Sequence, residues 1–411
     1  MRLPLILSRQ GDVLRASPSF RLLFGSTLIS GLGTWIAVIA LVVDVKNRTG
    51  SAIWVSALLI ADFLPGVAIG LLLGPLVDRL SRKRLLVGAD LVRFAAFILL
   101  ALAVNSGQIV ALALLAGIAN GFARPAAYAG LPNLVSEELL PRANSLLRTA
   151  DQLTVMLGTV LGGILVAASG PDLAYWLNAG SFALSAVLVL RISATLLQEG
   201  KAQSSGHWHD VAEGFSAILS SRPLLAVLVS WSIATVTIAV ANVAEVFLAT
   251  VAFDAGSFGY GLMWAASGLG AVVGALFASS WLERRSMTVV YATAIALMGI
   301  GDIAAGSSPN VWVAVWCVLL GGVGNATAIV CNSLLVQRGA PDQIRGRVFT
   351  VLIGATSAVL GVGMALTGPL VDAVGPRWSY GIAGGVALVA AAAGFGMLRR
   401  EPAHVPEPAI S

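Results

Sequence analysis

Gly74-Pro75-Leu76-Val77-Asp78-Arg79-Leu80-Ser81-Arg82-Lys83-Arg84 joins two apolar runs, residues 52–74 and 84–104. Each run is long enough to cross the hydrocarbon core of a bilayer, which takes about 20 residues at 1.5 Å per residue. The stretch between them holds four basic side chains and one acid in a single short loop. Lys and Arg gathered beside a span mark the cytoplasmic side. The same punctuation returns 205 positions later: Asp78 falls on Glu283 and Arg79 on Arg284. At that shift Pro18 also falls on Pro223, Gly117 on Gly322, Asn120 on Asn325, Arg142 on Arg347, Gly158 on Gly363, Gly163 on Gly368, and Gly170-Pro171 on Gly375-Pro376. The repeat is one of turns, close-packing sites and charges rather than a close copy.

The composition fits a membrane solvent. Of 411 residues, 57% are hydrophobic and 11% charged, against about 25% charged in ordinary soluble domains. The 45 glycines suit close approach of helices within a bilayer. Apolar runs of spanning length cover 19–43, 52–74, 84–104, 108–132, 145–168, 172–191, 223–248, 258–281, 287–305, 310–336, 347–370 and 378–398. One set of loops and both termini hold twenty Lys and Arg; the opposite set holds Lys46, Arg48 and Arg377. That bias places both termini in the cytoplasm and requires an even number of spans. The basic residues therefore report topology, and the net charge of +5 does not indicate nucleic-acid binding. Arg2, Arg9, Arg15 and Arg21 run through an N-terminus without a cleavable-signal pattern.

These readings predict an all-α membrane protein of twelve transmembrane helices in two pseudo-symmetric six-helix bundles. The bundles are expected over 1–191 and 223–411, the latter with a short cytoplasmic tail. A cytoplasmic linker over 192–222 joins them, with an amphipathic helix over 209–219 lying on the membrane surface. Two membrane-embedded copies in the same orientation are the plan of a transporter whose site lies between the copies near the midplane. No phosphate-binding G-x-x-x-x-G-K-[ST] stretch occurs, and no constellation of nucleophile, base and metal points to an enzyme. No cofactor and no metal are expected; His207 and His209 stand as a lone pair in a polar loop.

The loop at 74–84 resembles the G-x-L-x-D-R-x-G-R-K signature of the major facilitator superfamily, with Ser81 in place of its second Gly. Thr49-Gly50-Ser51-Ala52, Phe63-Leu64-Pro65, Gly88-Ala89-Asp90, Pro125-Ala126 and Leu131-Pro132 resemble the macrolide-efflux and siderophore-exporter branch. The resemblance covers the whole chain. It implies a gating role for Gly74, Asp78, Arg79, Arg82 and Lys83: Asp78 would cap the N-terminus of the eleventh span near Gly346-Arg347, where free N–H groups and the helix dipole favour an anion. The basic residues would pair with nearby carboxylates, Asp90 among them. The competing reading is a plain positive-inside anchor. Gly158-Thr159-Val160-Leu161-Gly162-Gly163 resembles the antiporter motif G-P-x-x-G-G with Thr159 at the Pro position, while Thr367-Gly368-Pro369 in the eleventh span keeps a Pro. Gly158, Gly162, Gly163, Gly368 and Pro369 are therefore packing or hinge candidates.

Charges inside a membrane are costly and face partners or a cavity. Asp62 lies mid-span on one helical face with Gly66, Gly70 and Gly74, a face expected to meet the opposite half. It either binds a cation or proton or makes a structural hydrogen bond. Arg124 and Asp151 lie at similar depth and form a structural pair or a proton relay. Glu245 gates the outer vestibule or snorkels to the interface. Asp90 and Arg93 pair on one helix. Trp35, Tyr128, Asn120 and Asn325 offer substrate surfaces, with the repeat-related amides Asn120 and Asn325 expected to bond between helices. The reading that gathers these features is a bacterial inner-membrane secondary transporter, a monomer, exporting amphipathic drugs or siderophore-like metabolites by alternating access, with protons or another cation as coupling partner. A lysolipid or nutrient transporter, or a membrane sensor or scaffold that kept the fold, are the alternatives.

Overall fold

The computed structural model describes residues 13–72, 80–193 and 207–399. Among these the regular structure is helical throughout. The elements are α1 Pro18–Thr49, α2 Ala52–Leu72, α3 Arg82–Ala101, α4 Ser106–Gly130, α5 Leu140–Ser169, α6 Asp172–Leu190, α7 His207–Ser220, α8 Arg222–Phe247, α9 Gly256–Arg284, α10 Met287–Ser307, α11 Val311–Gly339 and α12 Asp342–Leu398.

The helix ends show what the repeat encodes. Pro18 and Pro223 occupy the first turns of α1 and α8, where a missing N–H costs nothing. Ser81 and Ser286, 205 positions apart, cap α3 and α10 by accepting from Arg84 N and Val289 N. Asn105 and Asn310, at the same spacing, cap α4 and α11 by accepting from Gln108 N and Val313 N. Each cap satisfies an N–H that the helix itself leaves open. Gly170 and Gly375 both take left-handed φ, 77° and 80°, a conformation costly for any residue with a Cβ. Ser81 thus replaces the signature's glycine with a helix cap.

Ten helices among the described residues are long and apolar enough to cross a membrane. The sequence reading counts twelve, and two features account for the difference. α3 begins with Arg82-Lys83-Arg84 and carries Asp90 and Arg93, so it stands outside the ten. α12 covers 57 residues, more than twice the about 20 that one crossing takes. Its non-helical break at Gly375, followed by Pro376, lies between the runs read as the last two spans.

Within residues 18–190, α1 packs on α5 and α6, α2 on α4, and α3 on α4 and α6. Within residues 222–398, α8 and α10 pack on α12, and α11 packs on α9 and α10. The two sets meet chiefly along two seams, α5 against α9 and α2 against α12. The chain turns at Gly50, Gly170, Asp254 and Gly375 on one side of the molecule, here the short-loop face. The opposite side, the linker face, carries α7, which packs on α12. The stretch 209–219 falls within α7; Arg347 bonds Glu213 there, and Gly214 lies against the Arg347 carbonyl.

Candidate functional site

The seams are built by glycine, and the repeat governs where. Gly163 of α5 lies against Ser257 O and the Gly261 Cα of α9; a Cβ on Gly163 would stand 2.8 and 3.3 Å from them. Gly368 of α12 lies against Ala52 O and Ile53 Cα of α2, at 3.0 and 2.7 Å by the same measure. The pairs 163/368 and 52/257 are each 205 apart, so the seams are two copies of one contact. Ser257 Oγ donates to Gly163 O at 3.2 Å. Gly158 and Gly162 face α1 instead, against Trp35, Ile36 and Ile39. The motif at 158–163 therefore divides its glycines: two hold α1 within the half, one meets the other half. Thr159, at the Pro position, is fully buried and its hydroxyl donates to Met156 O at 3.3 Å.

The α2–α12 seam ends in a carboxylate cap. Asp372 accepts from Ala52 N at 2.8 Å, Ser51 Oγ at 2.9 Å and Ile53 N at 3.4 Å. These are the open donors at the N-terminus of α2, where the dipole favours negative charge. The sequence reading missed Asp372. A signal was present: Gly74-Pro75-Leu76-Val77-Asp78 and Gly368-Pro369-Leu370-Val371-Asp372 are the same pentapeptide. The expected Asp78 cap, with Gly74 and Arg79, lies outside the described residues. Of the remaining signature residues, Arg82 opens α3. Among the described residues Lys83 pairs with no carboxylate; its Nζ donates to Leu190 O at 2.7 Å and Ile192 O at 2.6 Å, capping the carbonyl end of α6.

The described glycines of the α2 face, Gly66 and Gly70, do not meet the opposite half. Gly66 faces Gly121 of α4, Gly117 of α4 lies against the carbonyls of Ala61 and Asp62, and Gly70 faces open space. Helical periodicity shows which residues share a face but not what that face meets. The second half copies this packing, with Gly322 against Ser267 O, each residue 205 beyond its counterpart. Asp62 shares the field of Arg93. Arg93 is held by Asp90 at 2.5 Å and lies 4.3 Å from the Phe182 ring centroid, and Ser185 donates to Asp90 at 2.7 Å. The Asp90–Arg93 pair thus ties α3 to α6.

Toward the linker face the charged groups of α4 and α5 meet water. Arg124 Nη2 lies 3.6 Å from Asp151 Oδ2, with side chains 70% and 32% exposed. Tyr128 donates to the same Asp151 oxygen at 2.9 Å. Side chains this polar and this open line an aqueous opening rather than lipid.

Between the halves, the rings of Trp35 of α1 and Trp264 of α9 pack with centroids 5.7 Å apart and planes tilted by 46°. Behind Trp264 lies a cavity of about 90 Å³ lined by Asn242, Glu245, Asp302, Asn325 and Tyr380 among others. Glu245 is buried and accepts from Tyr380 OH at 3.3 Å. It sits just before a π-helical turn, Leu248–Ala252. Buried, it does not snorkel to the interface. Asp302 was not anticipated; it lies within two turns of the end of α10, where a single acid reads as interfacial. Among the described residues no bond from the repeat-related amides to another helix is found: Asn120 is exposed, and Asn325 Oδ1 is buried without a partner.

Two helical sets of like packing, meeting along copied seams with a polar cavity beside them, define a membrane transporter. The family model of the Major Facilitator Superfamily matches residues 23–351 and again 233–410, and the chain belongs to that family. It is 28% identical over 379 residues to the multidrug efflux pump Tap of Mycolicibacterium fortuitum, covering 88% of this chain and 91% of that one. To the multidrug efflux pump Tap of Mycobacterium tuberculosis it is 26% identical over 373 residues, covering 87% and 88%. Among solved structures, the nucleoside transporter NupG matches with a TM-score of 0.76 at 14% identity, over 93% of this chain and 99% of that one. A bacterial homologue of the iron transporter ferroportin, in an inward-facing state, matches at 0.75 and 14%, with the same coverage. At such identity the likeness is one of fold.

Proposed function

We propose that this chain is an inner-membrane exporter of amphipathic small molecules that works by alternating access. The single observation that carries the mechanism is the one-sided seam. Gly163 on Ser257, Gly368 on Ala52 and the Asp372 cap hold the halves together at the short-loop face, while Arg124 and Asp151 stand open to water toward the linker face. In this reading α1–α6 and α8–α12, with α12 counted as two spans divided at Gly375, form two six-helix bundles over 1–191 and 223–411. The segment 192–222 links them on the cytoplasmic face, where the Lys and Arg bias also puts both termini. The state described is then open to the cytoplasm. The efflux pumps named among the relatives support export of drug-like amphiphiles. The chain acts as a monomer, and a proton or other cation gradient supplies the energy. Arg124–Asp151 and Asp62 are the coupling candidates in the first half; the former pair faces the opening. Asp78 and Asp372 form reciprocal gates, each closing one face by capping a helix of the other half.

The test is a susceptibility and dye-accumulation panel in an efflux-deficient host, comparing wild type with Asp62→Asn and Asp151→Asn at matched membrane expression. Lower accumulation of an amphipathic compound in wild-type cells supports export. No change for any compound across the panel sinks the drug-exporter reading.

A further inference from the structure

The cavity behind Trp264 is acidic in its residues. Two carboxyl groups, Glu245 and Asp302, share its wall, and among the described residues that line it none is Lys, Arg or His. Arg377, one turn from Tyr380, is committed elsewhere: it donates to Gly306 O at 3.1 Å, Ser308 O at 2.6 Å and Ala252 O at 3.3 Å, and lies 4.8 Å from the Phe253 ring. Acceptors in the cavity are also left over. Glu245 is 5% exposed, and its Oε1 has no hydrogen-bond partner. Asn325 Oδ1 has none either. Buried polar atoms without partners are uncommon in native proteins and call for an explanation.

We propose that this cavity is a subsite for a protonated amine, the cationic nitrogen of the exported compound. The proposal rests on the transport reading and names a substrate class for it. A primary ammonium carries three N–H donors, which suit Glu245 Oε1, Asp302 and Asn325 Oδ1. The positive charge answers the two carboxylates, and charge-assisted hydrogen bonds of this kind are the strong ones. The Trp264 ring supplies an aromatic wall of the sort that attracts organic cations, and Ile238, Met298 and Val318 line the cavity for attached carbon. A bare metal ion would use the oxygens but leave the indole and the apolar wall unused; an anion would be repelled. Trp264 also packs against Trp35 of the other half, so the cavity borders the interface that alternating access must open.

The test uses the purified full chain and two fluorescent probes, dansylcadaverine and its N-acetyl derivative, which differ at the amine. Binding is followed by fluorescence polarisation at constant ionic strength, with NaCl exchanged against KCl in a second arm. Wild type is expected to bind the amine about tenfold or more tighter than the acetylated probe, the scale of one charge-assisted hydrogen bond. Glu245→Gln and Asp302→Asn should each remove most of that preference without changing affinity for the acetylated probe, and exchange of Na⁺ for K⁺ should leave it unchanged. Equal binding of both probes by wild type overturns the proposal and needs no variant to fold. A preference that survives both substitutions overturns it, as does displacement of the amine by Na⁺ alone, which would assign the cavity to an inorganic cation. Binding is read on isolated protein. Loss of the amine preference therefore leaves export standing, and failure of export in cells leaves the preference standing.

Discussion

Removing the Asp372 carboxylate should release the short-loop face. Asp372 accepts three hydrogen bonds, from Ala52 N at 2.8 Å, Ser51 Oγ at 2.9 Å and Ile53 N at 3.4 Å. Loss of a side-chain cap costs about 0.5–2 kcal/mol, and loss of an anion from a helix N-terminus a further ~0.3–1 kcal/mol. Because Asp372 and α2 belong to different halves, this energy is lost only from the state in which the halves touch there. Asp372→Ala should therefore shift the closed-to-open equilibrium of that face by about 5- to 150-fold, from about 1–3 kcal/mol at 1.4 kcal/mol per decade. Asn can still accept from the backbone but lacks the charge, so Asp372→Asn should shift it by about two- to fivefold. The assay is a distance distribution between nitroxides on Val104→Cys and Trp312→Cys, 78% and 63% exposed in the native chain, with Cys317 and Cys331 replaced by Ala. A longer-distance population should grow from wild type to Asp372→Asn to Asp372→Ala, and the Ala52 and Ile53 amides should exchange faster. If neither the distances nor the exchange changes in Asp372→Ala, the cap does not hold the halves and the gate assignment fails.

Three other outcomes follow from the geometry. Gly163→Val places a Cβ 2.8 Å from Ser257 O and 3.3 Å from Gly261 Cα, both backbone atoms, so export should be lost at normal membrane expression; undiminished export would show that the seam yields. Lys83→Met removes both bonds to the carbonyl end of α6 and should lower stability by about 1–2 kcal/mol, read as a fall in Tm in detergent; an unchanged Tm makes Lys83 a plain topology signal. The Arg124–Asp151 pair is open to solvent and such pairs contribute about 0–1 kcal/mol, so Asp151→Asn should leave Tm nearly unchanged while reducing dye export; unchanged export would make the pair incidental.

What the sequence reveals and what it hides divide along physical lines. The repeat is legible because turns and close contacts admit few residue types: Gly170 and Gly375 stand at left-handed φ, and Gly163 and Gly368 at backbone contacts. Pairs such as Arg124–Asp151 and Asp90–Arg93 are legible because charges in spans need partners at similar depth. The partner of each face is not. The glycine face of α2 meets α4 within its own half, and no periodicity encodes that choice. Asp302 acquires meaning only when the fold brings α10 beside Glu245 of α8, 57 positions earlier in the chain. Asp372 escapes the repeat because its pentapeptide recurs 294 positions from its twin, not 205. It marks the C-terminal ends of the second and eleventh apolar runs, not equivalent positions in the two copies.

The central claim is that the two halves must part at the short-loop face for transport to occur. Ser51 Oγ and Asp372 Oδ2 lie 2.9 Å apart across that seam, so Ser51→Cys with Asp372→Cys, in a chain lacking Cys317 and Cys331, puts two thiols within reach of a short bifunctional methanethiosulfonate cross-linker. The measurement is dye export from proteoliposomes before and after cross-linking, and again after reduction. Alternating access predicts that cross-linking abolishes export and that reductant restores it to its starting level. Export that continues at full rate through a fully cross-linked seam would contradict the account.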